Sequence, residues 1–126
     1  MRKKKPTLKS LKRKAWNACS VYVRKGASDR HGGVNCYTCH VYIPWREAQA
    51  GHAIPGRTGM VLFDTDIIRP QCVSCNVFHR GRYHIFTARL IRENGLAWWE
   101  RKEQESHGTK KYTREDYERI IDRFSV

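Results

Sequence analysis

Apolar positions recur at helical spacing towards both ends of the chain and at strand-like spacing only in its middle. Leu8, Leu11, Ala15, Ala18 and Tyr22 lie three and four residues apart, which puts them on one face of a helix. Thr7 is a suitable N-cap for that helix, which is expected to run to about Lys25. Lys9, Lys12, Arg13 and Lys14 fall mostly off the apolar face, so the helix turns a basic side outward. Cys19 lies beside the stripe and reads as a buried thiol. Nearer the C-terminus, Tyr83 to Glu93 is amphipathic through Ile85, Phe86, Ala88, Leu90 and Ile91, and Asn94-Gly95 stops it. Leu96 to Glu105 predicts a second helix, whose Trp98-Trp99 pair is best explained as core. Thr113 then caps a last helix, with Glu115 and Asp116 at its positive end and a stripe of Tyr117, Ile120, Ile121 and Phe124.

The middle of the chain reads differently. Gly26 to Asn35 is a polar, glycine-bearing loop, and His31 within it has no assigned role. Cys36-Tyr37-Thr38-Cys39 follows, then His40 to Ile43 as a short strand stopped by Pro44. Gln49 to Ile54 predicts one strand of a hairpin, Pro55 to Gly59 its turn, and Met60 to Phe63 the return strand. Asp64-Thr65-Asp66 is a further turn. Ile67 to Pro70 leads into Cys72-Val73-Ser74-Cys75-Asn76, from which a short helix is expected to reach Phe78 or beyond and break near Gly81.

A chain of 126 residues predicts one domain. Its expected parts are a basic tail (1–6), a basic helix (7–25), a cysteine-framed core (36–82) and a helical C-terminal region (83–126). Lys and Arg number 25 against 12 Asp and Glu, a formal charge of +13. So lopsided a balance points to a polyanionic partner, and nucleic acid above all. The basic N-terminus is not followed by an apolar segment, and no apolar run reaches the length of a membrane span. The expectation is a cytoplasmic protein with reduced thiols and no membrane partner.

In that compartment paired cysteines favour a metal over a disulfide. Cys36, Cys39, Cys72 and Cys75 supply four thiolates, the complement of a closed tetrahedral zinc site. Such a site folds the protein and does no chemistry of its own. It frames His52, which follows Gly51 near the end of the predicted strand, and Asn76, which directly follows the last cysteine. A histidine titrating near neutrality can accept a proton from water. Asn76 offers an oxygen suited to a hard cation. The plainer alternatives are a packed histidine and a helix-capping asparagine.

Gln49-Ala50-Gly51-His52-Ala53-Ile54-Pro55, with Arg69-Pro70-Gln71-Cys72-Val73-Ser74-Cys75-Asn76-Val77-Phe78, resembles the phage NinG, or Rap, recombination proteins, of the His-Me finger (HNH) nucleases. Weaker similarity covers Ser20 to Arg24 and Tyr112 to Phe124. The resemblance implies an α+β fold class: a zinc-stapled ββα-metal core flanked by N-terminal and C-terminal helices. It implies a DNA endonuclease that cuts branched recombination intermediates, Holliday junctions or D-loops, with structural Zn²⁺ and catalytic Mg²⁺ or Mn²⁺. His52 takes the part of the water-activating base, and Asn76 that of a residue holding the catalytic metal. Two positions depart from the signature. Ile67 stands where its middle asparagine is usual, leaving Asp64 or Asp66 to orient His52. Gly51 stands where an acid or histidine often binds metal, leaving His79, His84, Asp64 and Asp66 as candidate ligands.

Arg57, Arg69, Arg80 and Arg82 flank this core and, with Lys12 and Arg13 of the basic helix, are the candidate DNA-binding side chains. Ordinary solvated charge is the alternative for any one of them. A symmetric homodimer would suit a four-way junction, which takes two cuts. The rival readings are a non-catalytic zinc-containing DNA-binding module, an HNH nuclease acting on plain duplex, and a zinc ribbon serving protein assembly.

Overall fold

The computed structural model describes residues 4–55 and 59–125. Arg57 and part of the expected 55–59 turn lie outside the described residues, as do the first three residues of the basic tail. Among the described residues the fold mixes four α-helices with two small antiparallel sheets.

Helix α1 spans Leu8–Gly26, and the Thr7 hydroxyl accepts from the Ser10 amide at 3.1 Å, as an N-cap should. Its buried stripe is Leu11, Ala15 and Cys19, while Leu8 and Tyr22 are about half exposed. The core-facing side is therefore rotated towards Cys19, because the helix end packs Tyr22 against Phe124 across a 5.0 Å ring contact. Burial pushes the Cys19 thiol up to about 12 despite the nearby Arg123 charge, which keeps it an inert packing group.

The predicted polar loop is partly a strand. β1 (Gly33–Asn35) pairs antiparallel with β2 (Tyr42–Pro44), Val34 opposite Ile43, and the first cysteine pair closes the turn between them. β3 (Gln49–His52) is the expected first strand of the hairpin, but its partner is β4 (Ile68–Gln71). Gln49 lies opposite Gln71 and His52 opposite Ile68. The expected return strand at 60–63 is a turn instead. Val61, Leu62 and Phe63 are all buried, and the backbone here closes on itself: the Leu62 amide donates to the Gly59 carbonyl at 3.3 Å and the Asp64 amide to the Val61 carbonyl at 3.1 Å, the three-residue spacing of turns. A 3₁₀ turn at Thr65–Ile67 then delivers the chain into β4.

After β4 comes a π-helical turn, Ser74–Phe78, then α2 (Tyr83–Asn94), α3 (Leu96–Ser106) and α4 (Arg114–Phe124). Gly95 joins α2 to α3 at φ +93°, a conformation that excludes most side chains. Thr113 and Asp116 form a reciprocal capping box at the start of α4. Two apolar clusters result. In one, α1 and α4 meet β3 and β4 through Leu11, Ala15, Cys19, Ala50, Ile68, Tyr117 and Phe124. In the other, α2 and α3 cover the first cysteine pair through Tyr37, Ile67, Phe86, Leu90 and Trp99. Trp99 is thus core, as expected. Among the described residues no helix is long and apolar enough to cross a membrane.

Candidate functional site

The two cysteine pairs meet because β1 and β4 lie side by side: the Tyr37 amide donates to the Pro70 carbonyl at 2.9 Å. The Sγ atoms of Cys36, Cys39, Cys72 and Cys75 all fall within 4.8 Å of one another, and Cys39 and Cys72 are 3.7 Å apart. A tetrahedron of about 2.3 Å zinc–sulfur bonds has edges of about 3.8 Å, so the cluster fits zinc. Each pair is closed by backbone: the His40 amide reaches the Cys36 carbonyl at 2.9 Å, with His40 itself at φ +69°, and the Asn76 amide reaches that of Cys72 at 3.0 Å. Burial opposes ionisation of Cys36, but the Thr38 hydroxyl and neighbouring backbone amides outweigh it and bring that thiol down to about 6, whereas burial pushes Cys39 up to about 12 and raises Cys72 as well, so ionising the whole set calls for a cation among the sulfurs. Arg82 Nε donates to Cys75 Sγ at 3.2 Å. The sequence offers Arg82 as a DNA contact; the structure places it as a cation beside the thiolates.

A second site opens beside β3. A cleft of about 550 Å³ is bordered by Trp16 and Arg24 of α1, by Arg46 and Glu47 of the β2–β3 connection, and by His52 and Asn76. His52 Nε2 lies 2.9 Å from the Leu62 carbonyl oxygen. A carbonyl only accepts, so Nε2 carries the proton and, in the neutral ring, Nδ1 holds the basic lone pair. The ring also stacks on Trp16, with centroids 4.8 Å apart and planes 23° from parallel. Asn76 Nδ2 donates to Gln49 Oε1 at 2.8 Å, which fixes the amide and assigns Oδ1 as its remaining acceptor.

Gly51 follows from the same geometry. A Cβ there would lie 1.9 Å from Gln71 Oε1 and 3.1 Å from Asn76 Oδ1. Gln71 is fully buried; its Nε2 donates to Thr38 Oγ1 at 3.1 Å and to the Gly81 carbonyl at 2.9 Å, tying both cysteine pairs together. Its Oε1 has no hydrogen-bond partner among the described residues and rests against the Gly51 Cα. The residue before His52 is a glycine because this side chain occupies the space.

The other sequence candidates lie elsewhere. Asp64 and Asp66 each meet Lys102 Nζ at 2.8 Å and border a different cleft. The orienting group of His52 is the Leu62 carbonyl rather than either carboxylate. His79 and His84 are exposed and border no part of the His52 cleft. The spacing from Asn76 to His79 assumes an α-helix, but the turn is π-helical, with the His79 amide bonded to the Ser74 carbonyl, and residues three apart no longer share a face. Arg69 donates from Nη1 to the Thr65 and Ile68 carbonyls and lies 5.5 Å from the Tyr37 ring centroid, outside the lining of the His52 cleft. Arg80 is exposed at φ +52°, and on α1 Arg13 is exposed while Lys12 is half-buried. Sequence reasoning missed Trp16, Arg24 and Glu47 as site residues. A helical register drawn through Leu11 and Ala15 would have put Trp16 beside the buried stripe, but no local signal tells that it meets His52.

Over residues 1–126 the chain matches the family model of the bacteriophage lambda NinG protein. No curated protein and no solved structure matches it.

Proposed function

The chain belongs to the NinG family, and from that premise and the geometry of the cleft we propose that it is a metal-dependent DNA endonuclease of HNH type acting on branched recombination intermediates. The observation that carries this reading is the His52 imidazole, held by the Leu62 carbonyl through Nε2 and bordering the same cleft as Asn76. His52 Nδ1 takes a proton from water. The hydroxide so formed attacks phosphorus, the bond from phosphorus to the 3′ oxygen breaks, and the Leu62 carbonyl supports the imidazolium through its Nε2 proton. Trp16 keeps the ring in one plane throughout.

Asn76 Oδ1 is the oxygen donor best fixed to hold Mg²⁺ or Mn²⁺, and Glu47 is the carboxylate bordering the same cleft. Among the described residues no three His, Cys, Asp or Glu side chains converge outside the four cysteines. That suits a hard cation held by one or two protein oxygens together with substrate phosphate and water. When bound, such an ion would supply positive charge against the negative charge that develops on the phosphoryl and leaving oxygens. The hairpin of β3 and β4 followed by the Ser74–Phe78 turn supports a ββα-metal arrangement, with zinc at Cys36, Cys39, Cys72 and Cys75 setting the turn against the hairpin.

The test is a nuclease assay of wild type and His52→Ala on a labelled Holliday junction, a D-loop and a duplex, with and without Mg²⁺ or Mn²⁺. Metal-dependent cutting of branched DNA is expected, falling about 10²- to 10⁴-fold in His52→Ala with DNA binding retained. Equal cutting of duplex would remove the branched preference. Absence of cutting by a zinc-loaded protein that binds DNA would leave a binding module in its place.

A further inference from the structure

The cleft holds two guanidinium groups that none of the chemistry above employs. Arg24 and Arg46 both rest on the Trp45 indole, with their central carbons 5.4 and 4.8 Å from the ring centroid. Arg24 is tied down further: Nε donates to the Ser20 carbonyl at 3.2 Å and to its hydroxyl at 3.0 Å, and Nη1 donates to the Trp45 carbonyl at 3.3 Å. These bonds engage one face of a five-donor fork and leave N–H groups over for a ligand. Among the described residues neither arginine has a carboxylate partner, although Glu47 borders the same cleft. Burial also holds Arg24 below the usual arginine range, so an incoming anion would meet a cation short of solvent.

An arginine paired to an acid is a strut. One that is half buried, held rigid by neutral acceptors and turned into a cleft is a ready anion site. We propose that Arg24 and Arg46, seated on Trp45, are a phosphate clamp for the DNA backbone, gripping phosphodiester oxygens of the strand whose scissile phosphate lies at His52. The assignment of that strand rests on the nuclease reading; the clamp itself does not. α1 thereby contributes to substrate positioning through the edge that carries Arg24, whereas its exposed Arg13 supplies diffuse charge. Phosphodiester contact carries no base identity, as expected of a protein that reads DNA shape.

The experiment is DNA binding by the zinc-loaded full chain without Mg²⁺ or Mn²⁺, so that nothing is cut. A fluorescent four-way junction and a duplex are titrated over a series of salt concentrations with wild type, Arg24→Gln, Arg46→Gln and the control Lys111→Gln, and inorganic phosphate is tried as a competitor. Each clamp variant should weaken binding to both DNAs and lower the log–log salt slope by about 1. Lys111→Gln should leave the slope in place. Arg46 is exposed and makes no hydrogen bond to the fold among the described residues, so Arg46→Gln remains decisive if Arg24→Gln melts early. Wild-type slope and affinity in the folded clamp variants would overturn the clamp, as would an equal loss in Lys111→Gln. Displacement of DNA by inorganic phosphate at far lower concentration than an equal ionic strength of chloride would also overturn it, by making the site one for free phosphate. A wild type that still cuts nothing once Mg²⁺ or Mn²⁺ is added, while the clamp variants lose slope, would retain the clamp and remove the nuclease.

Discussion

The cysteine cluster and the His52 cleft share one hairpin, yet they are built by different rules. The cluster takes all four ligands from two four-residue segments, each closed by its own backbone. The cleft takes its side chains from α1, the β2–β3 connection, β3 and the Ser74–Phe78 turn, and no segment supplies more than a few. A site that is local in sequence tolerates little variation in spacing and is stable once its metal arrives. A site assembled from distant segments inherits its geometry from the packing of the whole molecule. Cysteine cluster and cleft should therefore respond oppositely to mutation: loss of a cysteine is expected to cost the fold, and loss of a cleft side chain a function.

The largest expected effect is at the cluster. Cys36→Ser, or removal of metal by a chelator, should abolish the cooperative thermal transition, because a structural zinc contributes about 10 kcal/mol or more, comparable to the whole stability of a small domain. Circular dichroism melts with and without added zinc check this. His52→Ala should melt close to wild type. A His52→Ala protein that unfolds with the cysteine variant would erase the contrast between the two sites.

That contrast also explains what could be read from the sequence. The helices were legible because α1, α2, α3 and α4 carry their caps and stripes locally: Thr7, Gly95, and Thr113 with Asp116 mark ends, and Phe86, Leu90, Tyr117 and Phe124 mark inner faces. The cysteines were legible for the same reason. The hairpin partner of β3 was not. Val61, Leu62 and Phe63 have the composition of a strand, but the stretch closes its own turn bonds from Gly59 to Leu62 and from Val61 to Asp64, and no residue signature marks that choice. Nor could sequence give the orienting group of His52, since the Leu62 carbonyl is backbone and has no residue signature. Arg24 and Arg46 were hidden because each looks like any other charge in a chain of +13; only their seat on Trp45 distinguishes them.

Gly51 is where the two regions touch, and it sharpens the comparison. Gly51→Ala would drive a Cβ to 1.9 Å from Gln71 Oε1, well inside contact distance. Gln71 cannot swing aside cheaply, because its Nε2 bridges Thr38 and Gly81 in a buried setting. The expected loss is about 1–3 kcal/mol, the range for overpacking a tight interior. Gln71→Ala alone leaves the Gly81 carbonyl short of a donor and should also destabilise. The double variant Gly51→Ala, Gln71→Ala should lose less than the sum, since the clash exists only when both side chains are present. Additive losses in urea titrations would mean that the glycine is required for another reason.

The smallest expected effect concerns the turn that carries Leu62. That stretch is fastened to α3 by Lys102, which meets Asp64 and Asp66 at 2.8 Å each. Burial pulls the Lys102 pKa down, but hydrogen bonds and charge from the two carboxylates outweigh it and hold it above the ordinary lysine value. A pKa raised in the folded state gives stability that is fully present below the unfolded value, about 10.4, and is lost as pH rises through the folded one. Lys102→Met should therefore lower stability by about 1 kcal/mol at pH 8, discounted because Asp66 is largely exposed. The gap from wild type should close in strongly alkaline buffer. If the turn positions the base, the same variant should reduce single-turnover cutting and broaden its pH profile, because the Leu62 carbonyl would hold the imidazole less firmly. A drop in melting temperature with the pH profile unchanged would show that the tether serves the fold alone, and that β3 and Trp16 suffice to aim His52.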